Sequence, residues 1–133
     1  MTTINKTYKT FYFDLLEQGF NYMQARYIFS QAAFETANFT SNLFQKNNNL
    51  FGMKHPAIRS TTSLGEKNGF AYYNSVIDSI KDFQLYYHAG KYLTSYSSID
   101  KYIEALKKRS YFEANPEKYS AGVQYYYDLY FST

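Results

Sequence analysis

An Asn-Gly pair at positions 68 and 69 lies between "STTSL" and "FAYY" and interrupts a chain whose apolar residues otherwise recur at helical spacing. Both residues of such a pair adopt positive φ at little cost, so the pair closes a tight hairpin between short strands. A small β-hairpin is therefore expected between residues 58 and 73, with "GEKNG" as its turn. The rest of the chain points to helix.

Residues 8–18 carry Phe11, Leu15 and Leu16 and stop at Gly19, which predicts a first helix closed by a glycine. Asn21 is placed to cap a second helix running to about Thr36, with Met23, Tyr27, Ile28 and Phe34 near a helical period. Ala25, Ala32 and Ala33 on that helix allow neighbours to approach closely, which marks it as central. A short helical turn is expected over residues 40–46, followed by irregular backbone at "NNN" and a positive φ at Gly52. Ser75 with Asp78 opens a helix to about Tyr87, bearing Val76, Ile80, Phe83 and Tyr87 on one stripe. Ser98 caps another to about Lys108, and Asn115-Pro116 starts a last one towards Phe131. The expected fold is mainly α (α+β), with five or six helices, one hairpin lobe and no internal repeat.

Length and composition bound the function. With 133 residues, 45% of them hydrophobic, and no low-complexity stretch, one domain over residues 1–133 is expected. No run of about 18 apolar residues is present, and the N-terminal segment lacks an uninterrupted apolar stretch, so neither membrane insertion nor a cleaved signal peptide is expected. Cysteine is absent, which removes disulfides and thiolate metal sites. His55 and His88 are far apart in sequence, so no metal and no cofactor are expected. A net charge of +3, from 14 basic and 11 acidic residues in mixed order, forms no continuous basic patch, and a nucleic-acid partner is not expected. The 17 Tyr and 12 Phe suit both a core and a groove where sugars stack.

The segment "SQAAFETANFTSNLFQKNNNLFGMK", residues 30–54, places Glu35 at the end of the second helix. The negative end of the helix dipole disfavours a carboxylate there, and shielding by Phe34, Phe39 or Phe51 would push in the same direction. A protonated Glu near neutral pH is what protonating a glycosidic oxygen requires.

"QAAFET" followed by "NNLFGMK" resembles the glucosaminidase domains of glycoside hydrolase family 73, in the lysozyme-like superfamily, whose pattern runs Q-A-[AL]-x-E-[ST] and then N-L-F-G-[IM]-K. "YYNSVIDSIKDF" is similar to that family's Y-x-S-x-x-[ED]-S-I-x-D, and "SYFEANPEKYSAGV" to its closing P-x-x-Y-x-x-G segment. These ordered segments span residues 31–122.

The resemblance implies a lysozyme-like fold and hydrolysis of the β-1,4 bond after N-acetylglucosamine in peptidoglycan glycan strands, with Glu35 as general acid. It assigns Asn49, Phe51 and Gly52 to the floor of the groove, and Tyr73 and Tyr119 to substrate binding. Tyr111 matches the family's active-site tyrosine; an ungapped count from Pro116 would place Phe112 there, with Tyr119 as a nearby substitute. Many relatives carry a hairpin Glu shortly after two threonines, whereas here Thr61 and Thr62 are followed by Ser63. The hairpin carboxylate is Glu66, expected in the turn. Glu66 as base, attack by the substrate's own acetamido group, and a catalytically weak glycan binder or virion structural protein all remain open, as does a muramidase or lytic transglycosylase. A lone domain of this kind resembles a phage lysis or virion-associated protein, made in the host cytoplasm and released to the cell wall, and a monomer is favoured.

Overall fold

Helix α1 (Thr10–Glu17) ends as its sequence dictates. Gly19 adopts φ +102, its N–H bonds the Leu16 carbonyl, and the Phe20 N–H bonds that of Leu15, which together form a Schellman closure. A computed structural model describes residues 8–89, 96–108 and 115–132. Among them are six helices and one two-stranded antiparallel sheet, mainly helical with a small hairpin, as a lysozyme-like fold requires. No helix among the described residues is long and apolar enough to cross a membrane.

Helix α2 (Tyr22–Glu35) begins with a reciprocal capping box: Asn21 Oδ1 accepts from the Gln24 N–H, and Gln24 Oε1 accepts from the Asn21 N–H, each at 2.9 Å. Its buried residues run from Gln24 to Ala33 with Arg26 as the exception, so the helix is enclosed nearly all the way round. Then come α3 (Asn42–Asn47), β1 (Gly65–Lys67), β2 (Phe70–Tyr72) and α4 (Val76–Ala89). Helices α5 (Ile99–Lys108) and α6 (Pro116–Phe131) complete the order, and Asn115 caps α6 by accepting from the Glu117 and Lys118 N–H groups.

Chain contacts divide the protein into two compact units, one from residues 1–34 and 94–133 and the other from 35–93. The first is built on aromatic pairs. Phe29 meets Tyr130 edge-on at 4.9 Å and Phe131 at 5.6 Å, and Tyr12 meets Phe131 at 5.1 Å. Tyr102 of α5 donates its hydroxyl to Gln31 on α2, so a buried tyrosine keeps its polar tip bonded. Phe34 packs edge-on against Tyr119 at 4.9 Å and lies over Gly122, where an added Cβ would fall 2.2 Å from Phe34 Cε1. Gly122 thus allows α6 to approach the Phe34 ring. Gly122→Ala is expected to destabilise the protein by about 1–3 kcal/mol through overpacking, read as a lower urea midpoint at unchanged slope.

The second unit contains α3, the hairpin and α4. Its apolar centre is the stacked pair Phe51 and Phe83, 4.4 Å apart. The hairpin turn is type I′, with Asn68 at φ 56 and Gly69 at φ 82. The pairing differs from expectation. "GEK" is strand rather than turn, with Gly65 opposite Tyr72, Glu66 opposite Ala71 and Lys67 opposite Phe70. A two-residue turn carries pairing right up to Lys67 and Phe70. "STTSL" forms no strand, because its hydroxyls bond α4 and neighbouring backbone.

Candidate active site

Glu35 is the last residue of α2 and is half-buried. The helix stops there because Thr36 redirects the chain. Thr36 is fully buried; its Oγ1 accepts from the Phe39 N–H at 2.9 Å, and its carbonyl accepts from the Thr40 and Ser41 N–H groups at 2.9 and 3.0 Å. Between them Ala37, Asn38 and Phe39 all take left-handed backbone, with φ of 50, 60 and 65. Such a conformation costs roughly 1–2 kcal/mol for each residue bearing a Cβ. It persists because Thr36 holds both ends and the buried Phe39 ring is fixed edge-on against Phe44 at 5.8 Å. The consequence is a sharp reversal that leaves the Glu35 carboxylate at a helix end.

The turn after α3 meets that carboxylate. Asn48 ends α3 in left-handed backbone, and Gly52 takes φ +66. A Cβ on Gly52 would lie 3.0 Å from Glu35 Oε2, so the Glu35 carboxylate rests against bare glycine backbone. Asn49 shapes the turn from inside. Its Oδ1 accepts from the Phe51 and Met53 N–H groups, each at 3.2 Å, while its Nδ2 donates to the Met53 and Ala71 carbonyls at 2.9 and 3.0 Å.

The same asparagine tract ties the turn to the hairpin. Asn47 Nδ2 donates to the Lys67 carbonyl at 2.9 Å and to that of Ala71 at 3.2 Å, and Asn48 Nδ2 donates to the Tyr73 carbonyl at 2.9 Å. Backbone bonds from Ala71 to Met53 and from Tyr73 to Asn47, each 3.0 Å, complete the join.

On the α4 side, Asp82 is fully buried and bonded to Arg59, Thr61 and Tyr73. Burial pushes its carboxyl up, but the bonds from Arg59, Thr61 and Tyr73 and the Arg59 charge outweigh that and hold it below the ordinary value of 3.8. Burial first, then the bond to Asp82 and its charge, raise the Tyr73 hydroxyl far above its ordinary range, with Arg59 opposing. Tyr73 therefore remains a hydrogen-bond donor throughout the working range of pH.

Of the residues the sequence singles out, the structure brings Glu35 and Gly52 into direct contact. Asn49 and Phe51, 0% and 1% exposed, lie beneath the turn, so their contribution is to brace it and no ring face is offered to a sugar. Tyr73 is likewise 3% exposed, with its hydroxyl engaged by Asp82. Tyr119 is also 3% exposed and packs on Phe34 in the other unit. Glu66, expected in the turn, sits in β1 and is exposed. Tyr111 lies outside the described residues. His55 is exposed, with Nδ1 2.9 Å from Ser63 Oγ. Sequence reasoning missed Thr36 and Arg59. The threonine directly after Glu35 was a signal within reach, whereas Arg59 bonds a residue 23 positions away and left none.

A family model described as glucosaminidase, mannosyl-glycoprotein endo-beta-N-acetylglucosaminidase, matches residues 15–130. Searches of curated proteins and of solved structures find no significant match. The matched span takes in α2 with Glu35, the Gly52 turn, the hairpin and α4. The chain belongs to the glucosaminidase family, glycoside hydrolase family 73, and is a glycosidase.

Proposed function

We propose that this glycosidase cleaves peptidoglycan glycan strands at the β-1,4 bond after N-acetylglucosamine, with Glu35 as the general acid. The observation that carries the reading is the Glu35 carboxylate set against the bare backbone of Gly52. Where any other residue would press a side chain on the acid, glycine lets the carboxylate lie against the turn without being displaced. In the reaction, Glu35 gives its proton to the leaving glycosidic oxygen as positive charge builds on the sugar ring. Water then completes the hydrolysis. The segments that resemble the family's pattern support peptidoglycan as the substrate, since they include both the acid and the N-L-F-G turn.

The leaving oxygen is displaced from the anomeric carbon either by water that Glu66 deprotonates, or by the substrate's own acetamido oxygen, which forms a cyclic oxazolinium that water then opens. An exposed strand position leaves Glu66 able to meet a bound glycan, and an inverting reaction would require it roughly 6.5–9.5 Å from the acid. Glu66→Gln separates the two routes. A fall in kcat of about 10²-fold or more identifies Glu66 as the base, and a rate close to the parent's assigns the step to the acetamido group.

The reading is tested by incubating purified peptidoglycan with the protein and counting the reducing ends released. Release by the parent and none by Glu35→Gln supports it; equal release by both contradicts it.

A further inference from the structure

Asp82 presents a buried carboxylate that the glycosidase reaction does not use. Arg59 Nη1 and Thr61 Oγ1 donate to its Oδ1 at 2.7 and 2.6 Å, and Tyr73 donates to its Oδ2 at 2.6 Å, with Arg59 Nη2 further off at 3.4 Å. A carboxylate has about four lone-pair sites, so these donors leave none for a substrate. The positions of the donors give the arrangement its meaning. Arg59 and Thr61 lie on the arm that leads into β1, and Tyr73 directly follows β2. One side chain on α4 therefore binds both legs of the hairpin.

Neighbouring contacts extend the same anchorage. Thr62 Oγ1 donates to the Asp78 carbonyl one turn earlier on α4, and the Arg59 guanidinium lies over the Tyr86 ring one turn later, 5.8 Å from its centroid. Thr61 Oγ1 also accepts from the Ser63 N–H at 3.0 Å, so the group that bonds Asp82 orders the entry to β1. From there the Leu64 N–H bonds the Tyr72 carbonyl at 2.9 Å and the ladder begins.

We infer that Asp82 is a positioning residue: its carboxylate fixes where the hairpin stands on α4, and through the hairpin it governs turnover of the glycan. This rests on the proposed function insofar as the hairpin takes part in the site. An asparagine at this position cannot accept from all of these donors, because its Nδ2 is itself a donor. Arg59 is 20% exposed and can turn to solvent when released, so the variant is not left with a buried unpaired cation.

The experiment compares the parent with Asp82→Asn and with Thr61→Val, which loosens the arm without altering α4. Amide hydrogen exchange and steady-state cleavage of glycan strands are measured on each. The expected result is exchange at Ser63 and Leu64 faster by about tenfold or more, since bonds to charged groups are lost, while α2 amides stay at the parent's rate. A fall in kcat of about tenfold is expected to accompany it, with KM changed far less. Unchanged exchange at Leu64 in both variants overturns the inference, and so does faster exchange throughout the protein, which would mark a general loss of stability. A loosened hairpin with parental kcat overturns it as well. If the parent itself cleaves no glycan while hairpin exchange rises as stated, the peptidoglycan reading fails and Asp82's hold on the hairpin stands.

Discussion

Glu35→Gln is expected to fold as the parent does and to lose about 10²- to 10⁴-fold in kcat on glycan strands, the range over which a positioned general acid acts. Gln keeps the length and most of the shape of Glu, so it still fits against Gly52 and at the end of α2, but it has no proton to give. KM should change little, because the lost interaction is made to the leaving oxygen only as the bond breaks. Thermal unfolding of the variant, measured beside its kinetics, separates lost chemistry from a lost fold. The left-handed turn that places Glu35 is held by Thr36 and Phe39, neither of which the substitution touches. An unfolded Glu35→Gln would therefore contradict this account of how the helix end is built.

Gly52→Ala is expected to fail in two ways at once. At φ +66 a Cβ costs roughly 1–2 kcal/mol in backbone strain, a fall in Tm of roughly 2–8 °C for a protein of this size. The same Cβ would sit 3.0 Å from Glu35 Oε2, a tight contact that the carboxylate relieves by moving. Because misplacing a reacting group by about 1 Å can cost 10²-fold, kcat should fall well beyond what the loss of stability explains. Gly52→Asn divides the two effects, since asparagine tolerates left-handed backbone. It should recover much of the Tm and little of the rate. Recovery of both would mean that the close approach to Glu35 has no part in catalysis.

These two positions also show how much the sequence disclosed. Local chemistry was legible wherever a few adjacent residues decide the backbone: Gly19 closes α1, Asn21 caps α2, Asn115 caps α6, and Asn68-Gly69 turns the hairpin. Glu35 and Gly52 could be marked from their segments, one as a carboxylate at a helix end and the other as a glycine in irregular backbone. Their contact could not, because it depends on a reversal through Ala37 and Phe39, residues with no intrinsic preference for left-handed backbone. Long-range pairings were equally hidden. Asp82 bonds Arg59 and Thr61 from 23 and 21 residues away, and Gly122 is small because of Phe34 on α2.

The abundant tyrosines suited both a core and a sugar groove, and at two positions the structure shows the core use. Tyr73 and Tyr102 are buried, each with its hydroxyl bonded to a buried side chain, Asp82 and Gln31. A buried acceptor converts an amphipathic ring into a core residue, and nothing in composition distinguishes that use from stacking on a sugar. The register of β1 was missed for a related reason. Hydroxyl-rich "STTSL" has the composition of a strand, yet its hydroxyls are engaged by α4 and neighbouring backbone, and pairing passes to "GEK".

The most direct test of the central claim is mass spectrometry of the sugar ends that the parent releases from purified peptidoglycan, with Glu35→Gln as the control. The account predicts fragments ending in reducing N-acetylglucosamine from the parent and none from the variant; reducing muramic acid, anhydro ends, or identical products from both proteins would contradict it.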